Sequence, residues 1–307
     1  MEYLKETFTL KYILVALFLG TSLYVHFRGR WRYPIMRQLT GLSTLLAPYN
    51  AFAYLFSAVP NDPILDEKVL PVVDHLKKNW KVLRDEAAEL VRRGEIKVSQ
   101  KYDDLGFNSF FRRGWRRFYL KWYGKPLPSA RELCPRTLEI LQEVPSVRAA
   151  MFALLGPHKR LNRHRDPFAG SLRYHLGLIT PNDEGCQINI DGTPQVWRDG
   201  EGFLWDATYV HRPKNETGLS RVILFCDVER PLHTRIATWI NRFASRFLMS
   251  MTGSRNRKDD PIGFFNRLFG FVYPIRIVAK KLKRANRKIY YALKYLLLIA
   301  LLAWILL

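Results

Sequence analysis

Residues 173–206 read RYHLGLITPNDEGCQINIDGTPQVWRDGEGFLWD. Polar and apolar side chains alternate in RYHLGLIT (173–180), and the short runs CQINI (186–190), QVW (195–197) and GFLWD (202–206) follow. Alternation with period two marks a strand, and the PNDEG, DGTP and RDGEG joins carry turn chemistry. RVILFCDV (221–228) continues the series after KNETG. Short, evenly spaced strands without an internal repeat predict an antiparallel sandwich or jelly roll spanning about 150–230.

Upstream of the strands the period changes. In 65–94, Leu76, Trp80, Leu83, Ala87, Leu90 and Val91 recur at helical spacing and Gly94 stops the run. FNSFFRRGWRRFYLKWYGKP (107–126) reads as strands around Gly114. SARELCPRTLEILQEVPSV (129–147) reads as an amphipathic helix, with Ser129 and Glu132 in capping-box spacing. Residues 39–63, with prolines at 48, 60 and 63, read as a linker into the domain.

The chain has 307 residues, 48% of them hydrophobic, which excludes global disorder. Its 49 basic residues face 27 acidic ones, a net charge of +22 that calls for a polyanionic partner. The excess is concentrated in 232–288, where fourteen Lys and Arg meet only Asp259 and Asp260 beside an apolar tail. Such a collar fits anionic lipid head groups rather than nucleic acid. Within it, TRIATWINRFASRFLMSM and GFFNRLFGFVYPIRIVAKKLK read as basic, aromatic helices lying at a membrane interface. Cys134, Cys186 and Cys226 are widely spaced and lack a CxxC pair, so buried thiols in a reducing compartment are expected.

Two apolar runs close the ends. YILVALFLGTSLYVHF (12–27) is followed by Arg28, Arg30, Arg32 and Arg37; YYALKYLLLIALLAWILL (290–307) is preceded by KKLKRANRK. Each is read as a transmembrane segment, with a cleaved signal peptide as the alternative for the first and a membrane-surface helix for the second, and the basic flanks put both inner ends, and residues 28–288, in the cytoplasm. The expected division is an anchor (1–27), a basic flank and linker (28–64), a catalytic jelly roll with N-terminal helices (65–231), membrane-proximal helices (232–288) and a C-terminal span (289–307).

The chemistry lies in NRHRDPFAGSLRYHLGL (162–178) and beyond. On an extended segment His164 and Asp166 share a face, and a folded-back sheet brings His211 to them. Two histidines and a carboxylate are the facial triad of non-haem Fe(II) oxygenases, whose open positions take a 2-oxo acid and O2. Arg221, ten residues after His211, is suited to the distal carboxylate of 2-oxoglutarate, and Arg173 and His175 share a strand face that meets the same cosubstrate. The HRD triplet is no kinase loop, because Pro167 follows it and no glycine-rich loop or DFG accompanies it. A zinc-binding or catalytically dead jelly roll is the bland alternative.

RHRDPFAGSLRYHLGLITPNDEGCQINIDG, DGEGFLWDATYVH and SRVILFCDVERP resemble the aspartyl/asparaginyl β-hydroxylase family of 2-oxoglutarate dioxygenases, most strongly over about 145–232. The aromatic LGFNSFFRRGWRRFYLKWYG extends the likeness, and the apolar ends and chain length are those of its bacterial lipid A 2-hydroxylases. The resemblance implies a double-stranded β-helix (jelly roll), mainly β with flanking α-helices and an apolar transmembrane segment at each end. It implies His164, Asp166 and His211 as Fe(II) ligands, and Arg173, His175 and Arg221 as 2-oxoglutarate contacts. The family's cosubstrate-binding serine falls near Ala153, which cannot replace it. Animal members have glycine at the position of Asp166, so a full triad is expected here where they have two histidines. The implied reaction is hydroxylation at C2 of a secondary acyl chain of lipid A, with succinate and CO2 as co-products, at the cytoplasmic face of the bacterial inner membrane. No nucleic acid and no obligate protein partner are expected. A membrane-anchored hydroxylase of peptide Asp or Asn side chains is the alternative activity, and a tethered jelly roll that only binds anionic lipid is the non-enzymatic one.

Overall fold

The computed structural model describes residues 2–39, 41–99 and 103–306. Among the described residues ten strands form two antiparallel sheets. They are β1 (Ile64–Leu65), β2 (Trp115–Trp122), β3 (Val147–Leu155), β4 (Lys159–Arg160), β5 (Ser171–Ile179), β6 (Cys186–Ile190), β7 (Thr193–Val196), β8 (Gly202–Trp205), β9 (His211–Asn215) and β10 (Arg221–Glu229). One sheet runs β1-β8-β5-β10-β3-β2 and the other β4-β9-β6-β7. The eight consecutive strands β3 to β10 thus divide as β3, β5, β8, β10 against β4, β6, β7, β9, which is the strand arrangement of a jelly roll.

Alternation in β5 does not separate core from solvent, as a half-buried strand would. Every residue from Ser171 to Leu178 is buried. Helices Val73–Lys78 and Trp80–Arg92 pack on this strand, the latter burying Leu83, Ala87 and Leu90. Arg173 and His175 instead turn inward between the sheets, where they line a pocket. Gly177 is required where β5 meets the loop before β8: a Cβ there would lie 2.0 Å from the carbonyl oxygen of Arg198.

Local readings shift in four places. The 65–94 run is two helices rather than one, broken at Asn79, whose side chain folds back to the His75 carbonyl (2.9 Å). Before Gly114 the chain forms a short helix, Asn108–Phe111, so only the second half of 107–126 is strand. The 129–147 helix is split into Pro128–Leu133 and Pro135–Gln142 by Pro135. Ser129 makes no capping box, because its N–H and hydroxyl are both given to Asp260 (2.9 and 2.6 Å). Finally, residues 42–55 are helical and packed: Asn50 is fully buried and bonds Pro167 O and Ala169 N.

Among the described residues one helix, Glu2–Phe27, has a stretch long and apolar enough to cross a membrane, Leu10–Phe27, and little of it is covered by the rest of the chain. The C-terminal run is helical, Arg287–Leu306, but a second span is not established; several of its last side chains lie outside the described residues. Helix Arg235–Ala244 and the turn after it present Ile236, Trp239, Phe243 and Phe247 to the exterior, with Trp239 stacked on Phe243 (5.9 Å) and Phe243 on Phe247 (6.2 Å). The three cysteines are free and buried.

The apolar N-terminal helix is tied to the jelly roll by a buried charge knot. Asp206, fully buried just after β8, accepts from Arg28 (2.9 Å) and Arg230 (2.6 Å). Arg28 lies between the rings of Tyr54 (3.8 Å) and Tyr209 (4.0 Å). Burial alone would raise the Asp206 pKa, but the two guanidiniums outweigh it and hold it below the usual carboxylate range. Asp206→Asn leaves two buried cations without a counter-charge, an expected cost of about 3–5 kcal/mol measurable by denaturant titration. Because the folded pKa is depressed, the wild-type carboxylate's contribution is complete above about pH 4 and fades as pH falls below that. The variant is therefore expected to lose the part of the acid-side stability slope that Asp206 supplies.

Candidate active site

The loop before β5 and the first residue of β9 are zipped together. His164 N donates to His211 O (3.0 Å) and His211 N to His164 O (2.7 Å), while Asp166 N donates to Ala207 O (2.8 Å). This pairing sets the two imidazole rings 4.1 Å apart. One ligand atom from each of His164, Asp166 and His211 lies within 4.8 Å of the others, a cluster able to hold a metal ion.

The imidazoles are already in the tautomer that ligation requires. His164 Nδ1 sits 2.8 Å from Asn162 O and His211 Nδ1 2.9 Å from Tyr209 O. A carbonyl only accepts, so Nδ1 carries the proton and the Nε2 lone pair is left for a metal. Burial keeps both rings neutral: it lowers His164 and pushes His211 down to about 3. For Asp166, burial acts upward, but the Arg173 guanidinium beside it holds the carboxylate ionised and below its ordinary value. Two neutral imidazoles and one carboxylate form a donor set suited to Fe(II).

Arg173 is spent mainly on holding that carboxylate. Its Nη2 donates to Asp166 Oδ2 (2.6 Å) and its Nε to Asp227 Oδ1 (2.7 Å), and its guanidinium lies 3.7 Å over the Phe225 ring. Asp227 faces Arg173 directly in the β5–β10 register and also accepts from Tyr123 OH (2.9 Å). Burial raises the Asp227 pKa and Arg173 opposes that. Arg173→Met strands a buried carboxylate, with an expected loss of about 3–5 kcal/mol in urea unfolding, whereas Arg173→Lys retains part of it because one ammonium does not reproduce the two-sided fork.

His175 and Arg221 are different: they carry donors with nothing to receive them. Arg221 is fully buried at the start of β10, and none of its three guanidinium nitrogens has a hydrogen-bond partner. It lies 4.1 Å over the Trp197 ring, and burial lowers its pKa to about 10. Trp197 Nε1 donates to His175 Nδ1 (3.4 Å), so the proton of His175 is on Nε2, which is buried and unpartnered. A buried cation and a buried N–H without acceptors, lining the same pocket, fit a carboxylate.

The metal-ligand cluster and these unpartnered donors share one pocket. His164, Asp166 and His211 contribute to its lining, as do Arg173, His175 and Arg221; its apolar walls come from Phe107, Phe110, Trp115, Leu161, Ile188, Trp205, Pro213 and Phe225. All six candidate residues chosen from the sequence are thus brought together. Ala153 is buried in β3 opposite Ile223 and is not among the lining residues. The sequence reading missed Trp197 and Trp115 beneath Arg221, and Asp227 behind Arg173. An acid inside the otherwise apolar RVILFCDV was the one available signal for the last of these.

In this jelly roll, two histidines and a carboxylate converge on one pocket as a site able to hold a single metal ion, the arrangement of oxygenase-type hydroxylases. The family model for aspartyl/asparaginyl β-hydroxylases matches residues 77–231, and the chain belongs to that family of hydroxylases. The ornithine lipid ester-linked acyl 2-hydroxylase of Rhizobium tropici is 31% identical over 60% of this chain and 67% of its own. The human aspartyl/asparaginyl β-hydroxylase is 25% identical over 52% of this chain, and the match spans only 21% of that longer protein. A prolyl-4-hydroxylase structure from Pseudomonas putida aligns over 52% of this chain and 97% of its own at 17% identity, with a TM-score of 0.33.

Proposed function

We propose that this protein is an Fe(II)- and 2-oxoglutarate-dependent hydroxylase acting at C2 of an acyl chain of a membrane lipid, lipid A, on the cytoplasmic side of a bacterial inner membrane. The observation that carries it is the pair of unsatisfied groups in one pocket: a metal-ligand cluster, and a buried guanidinium without a counter-ion.

His164, Asp166 and His211 would hold the metal. With 2-oxoglutarate and O2, iron supplies the oxidation: one oxygen atom enters the substrate C–H bond and the cosubstrate leaves as succinate and CO2. Arg221 pairs with the distal carboxylate and His175 Nε2–H donates to the same cosubstrate. Trp197 and Trp115 lie against the guanidinium of Arg221, their ring centres 4.1 and 5.7 Å from it. Arg173 fixes the Asp166 carboxylate in place. The aromatic walls exclude water from the reacting carbon and accept a chain of methylenes.

A lipid substrate is supported by three features: the apolar helix Leu10–Phe27, the exposed Ile236–Phe247 face flanked by Arg235, Arg242 and Arg246, and the Rhizobium relative named for a lipid acyl chain. The net charge of +22 favours a phosphorylated headgroup. The human relative favours a peptide Asp or Asn side chain instead, through a match confined to a fifth of that protein.

Mass spectrometry of lipid extracts from cells with and without the gene, beside His211→Ala, separates these readings. A +16 species in lipid A that depends on His211 is the expected result. A +16 shift confined to amino-acid-linked lipids would replace the substrate, and no lipid shift with succinate still formed would move the assignment to a peptide.

A further inference from the structure

The metal-ligand loop has a second face. Neighbours of an extended segment point to opposite sides, so His164 and Asp166 enter the pocket while Arg163 and Arg165 turn away from it. They meet the segment that leaves the apolar helix. Arg163 lies 4.1 Å over the Trp31 ring, and Arg165 Nη1 donates to Val25 O (2.8 Å). Arg37 lies 4.1 Å over the Tyr33 ring and donates to Arg163 O (3.0 Å).

This segment is fixed to the jelly roll rather than draped on it. Asp191 accepts from the amides of Arg30 (2.8 Å) and Trp31 (2.7 Å). The approach requires Gly29, whose φ is +88° and where a Cβ would lie 2.9 Å from Asp191 Oδ1. Arg32 (5.2 Å over the Phe27 ring), Arg37, Arg163 and Arg165 thus lie against the end of the helix and the segment that follows it, and among the described residues none of the four has a salt bridge to a carboxylate. Arg165 is the telling member. Its Nε and Nη2 form the edge of the guanidinium that binds phosphate in two-point fashion, and both are buried without an acceptor.

We propose that Arg165, Arg163 and Arg37 form a recognition site for the phosphate of a membrane lipid headgroup, on the back of the loop whose inner face carries His164 and Asp166. The source is assigned to lipid because the cluster begins just past Phe27, where the apolar helix leaves the hydrocarbon and headgroup phosphates lie. The inference rests on the lipid reading above and adds a reason for its regiochemistry. A headgroup held one residue from the metal ligands presents the carbons nearest the acyl carbonyl, not the methyl end.

The test is direct binding, which needs no turnover. The full chain in detergent micelles is titrated with a phosphorylated disaccharide lipid of the lipid A type and with the same lipid after phosphatase treatment. At least a tenfold preference for the phosphorylated form is expected, falling to near parity in Arg37→Gln/Arg163→Gln, whose Mn(II) binding reports that the pocket is still folded. Parity in the wild type, or a preference retained in that variant, overturns the site. Displacement of the lipid by millimolar inorganic phosphate overturns its assignment to a headgroup. Phosphate-dependent binding without hydroxylation leaves the site standing and removes the activity; hydroxylation without phosphate preference does the reverse.

Discussion

Arg221→Met is expected to yield a protein that is more stable to heat and unable to use 2-oxoglutarate. The two effects have one cause. Arg221 is a fully buried cation whose nitrogens have no acceptor, so the fold bears its desolvation without compensation. Methionine fills similar volume between Trp197 and Trp115 and removes that burden, for an expected gain of about 1–4 kcal/mol in the ligand-free protein. Under the proposed function the same change also deletes the charge-assisted bonds that Arg221 would make to the cosubstrate carboxylate. Two such bonds at about 1.5–3 kcal/mol each correspond to a loss of about 10²–10⁴ in affinity. Differential scanning fluorimetry with and without 2-oxoglutarate reads both: the variant melts higher alone and no longer shifts on adding cosubstrate, while wild type does. A variant that melts lower than wild type would mean that Arg221 already has a counter-charge within the protein.

That prediction depends on a fact the sequence does not carry. SRVILFCDV announces a strand and ETGLSR a turn, so Arg221 was legible as the first residue of β10. The lack of any partner for it depends on what the loop before β8 and β2 bring beneath it, Trp197 and Trp115, and neither lies near Arg221 in sequence. The strand series from 173 to 228 was similarly legible, because alternation and turn residues are local. Its helices were less so: Pro135 split one, Asn79 another, and the packed helix Ala47–Leu55 hid inside a stretch with the prolines of a linker. Arg173 shows the limit best. Its strand face was readable from the period of two, yet its commitment to Asp166 and Asp227 follows from register across β10, which one strand alone does not encode.

His211→Ala is expected to abolish metal binding and to reduce turnover at least about 10³-fold while leaving the jelly roll assembled. The asymmetry comes from how the ligand loop is held. The two backbone bonds between His164 and His211 are independent of either ring, so loss of one imidazole leaves the loop in place. What is lost is the buried Nε2 that Tyr209 O orients through Nδ1. Asp166→Gly acts differently. It removes one ligand, and it also leaves Arg173 with Asp227 as its sole carboxylate, so a fall of about 100-fold or more in metal affinity is expected together with altered unfolding. Mn(II) titration by electron paramagnetic resonance separates the cases: full-affinity binding in wild type, weak binding in Asp166→Gly, none in His211→Ala. A chelator should lower the melting temperature of metal-loaded wild type and leave His211→Ala unmoved, since only a protein that binds the ion is stabilised by it. Equal metal affinity in wild type and Asp166→Gly would show that two histidines suffice, and would return Asp166 to the role of counter-ion for Arg173.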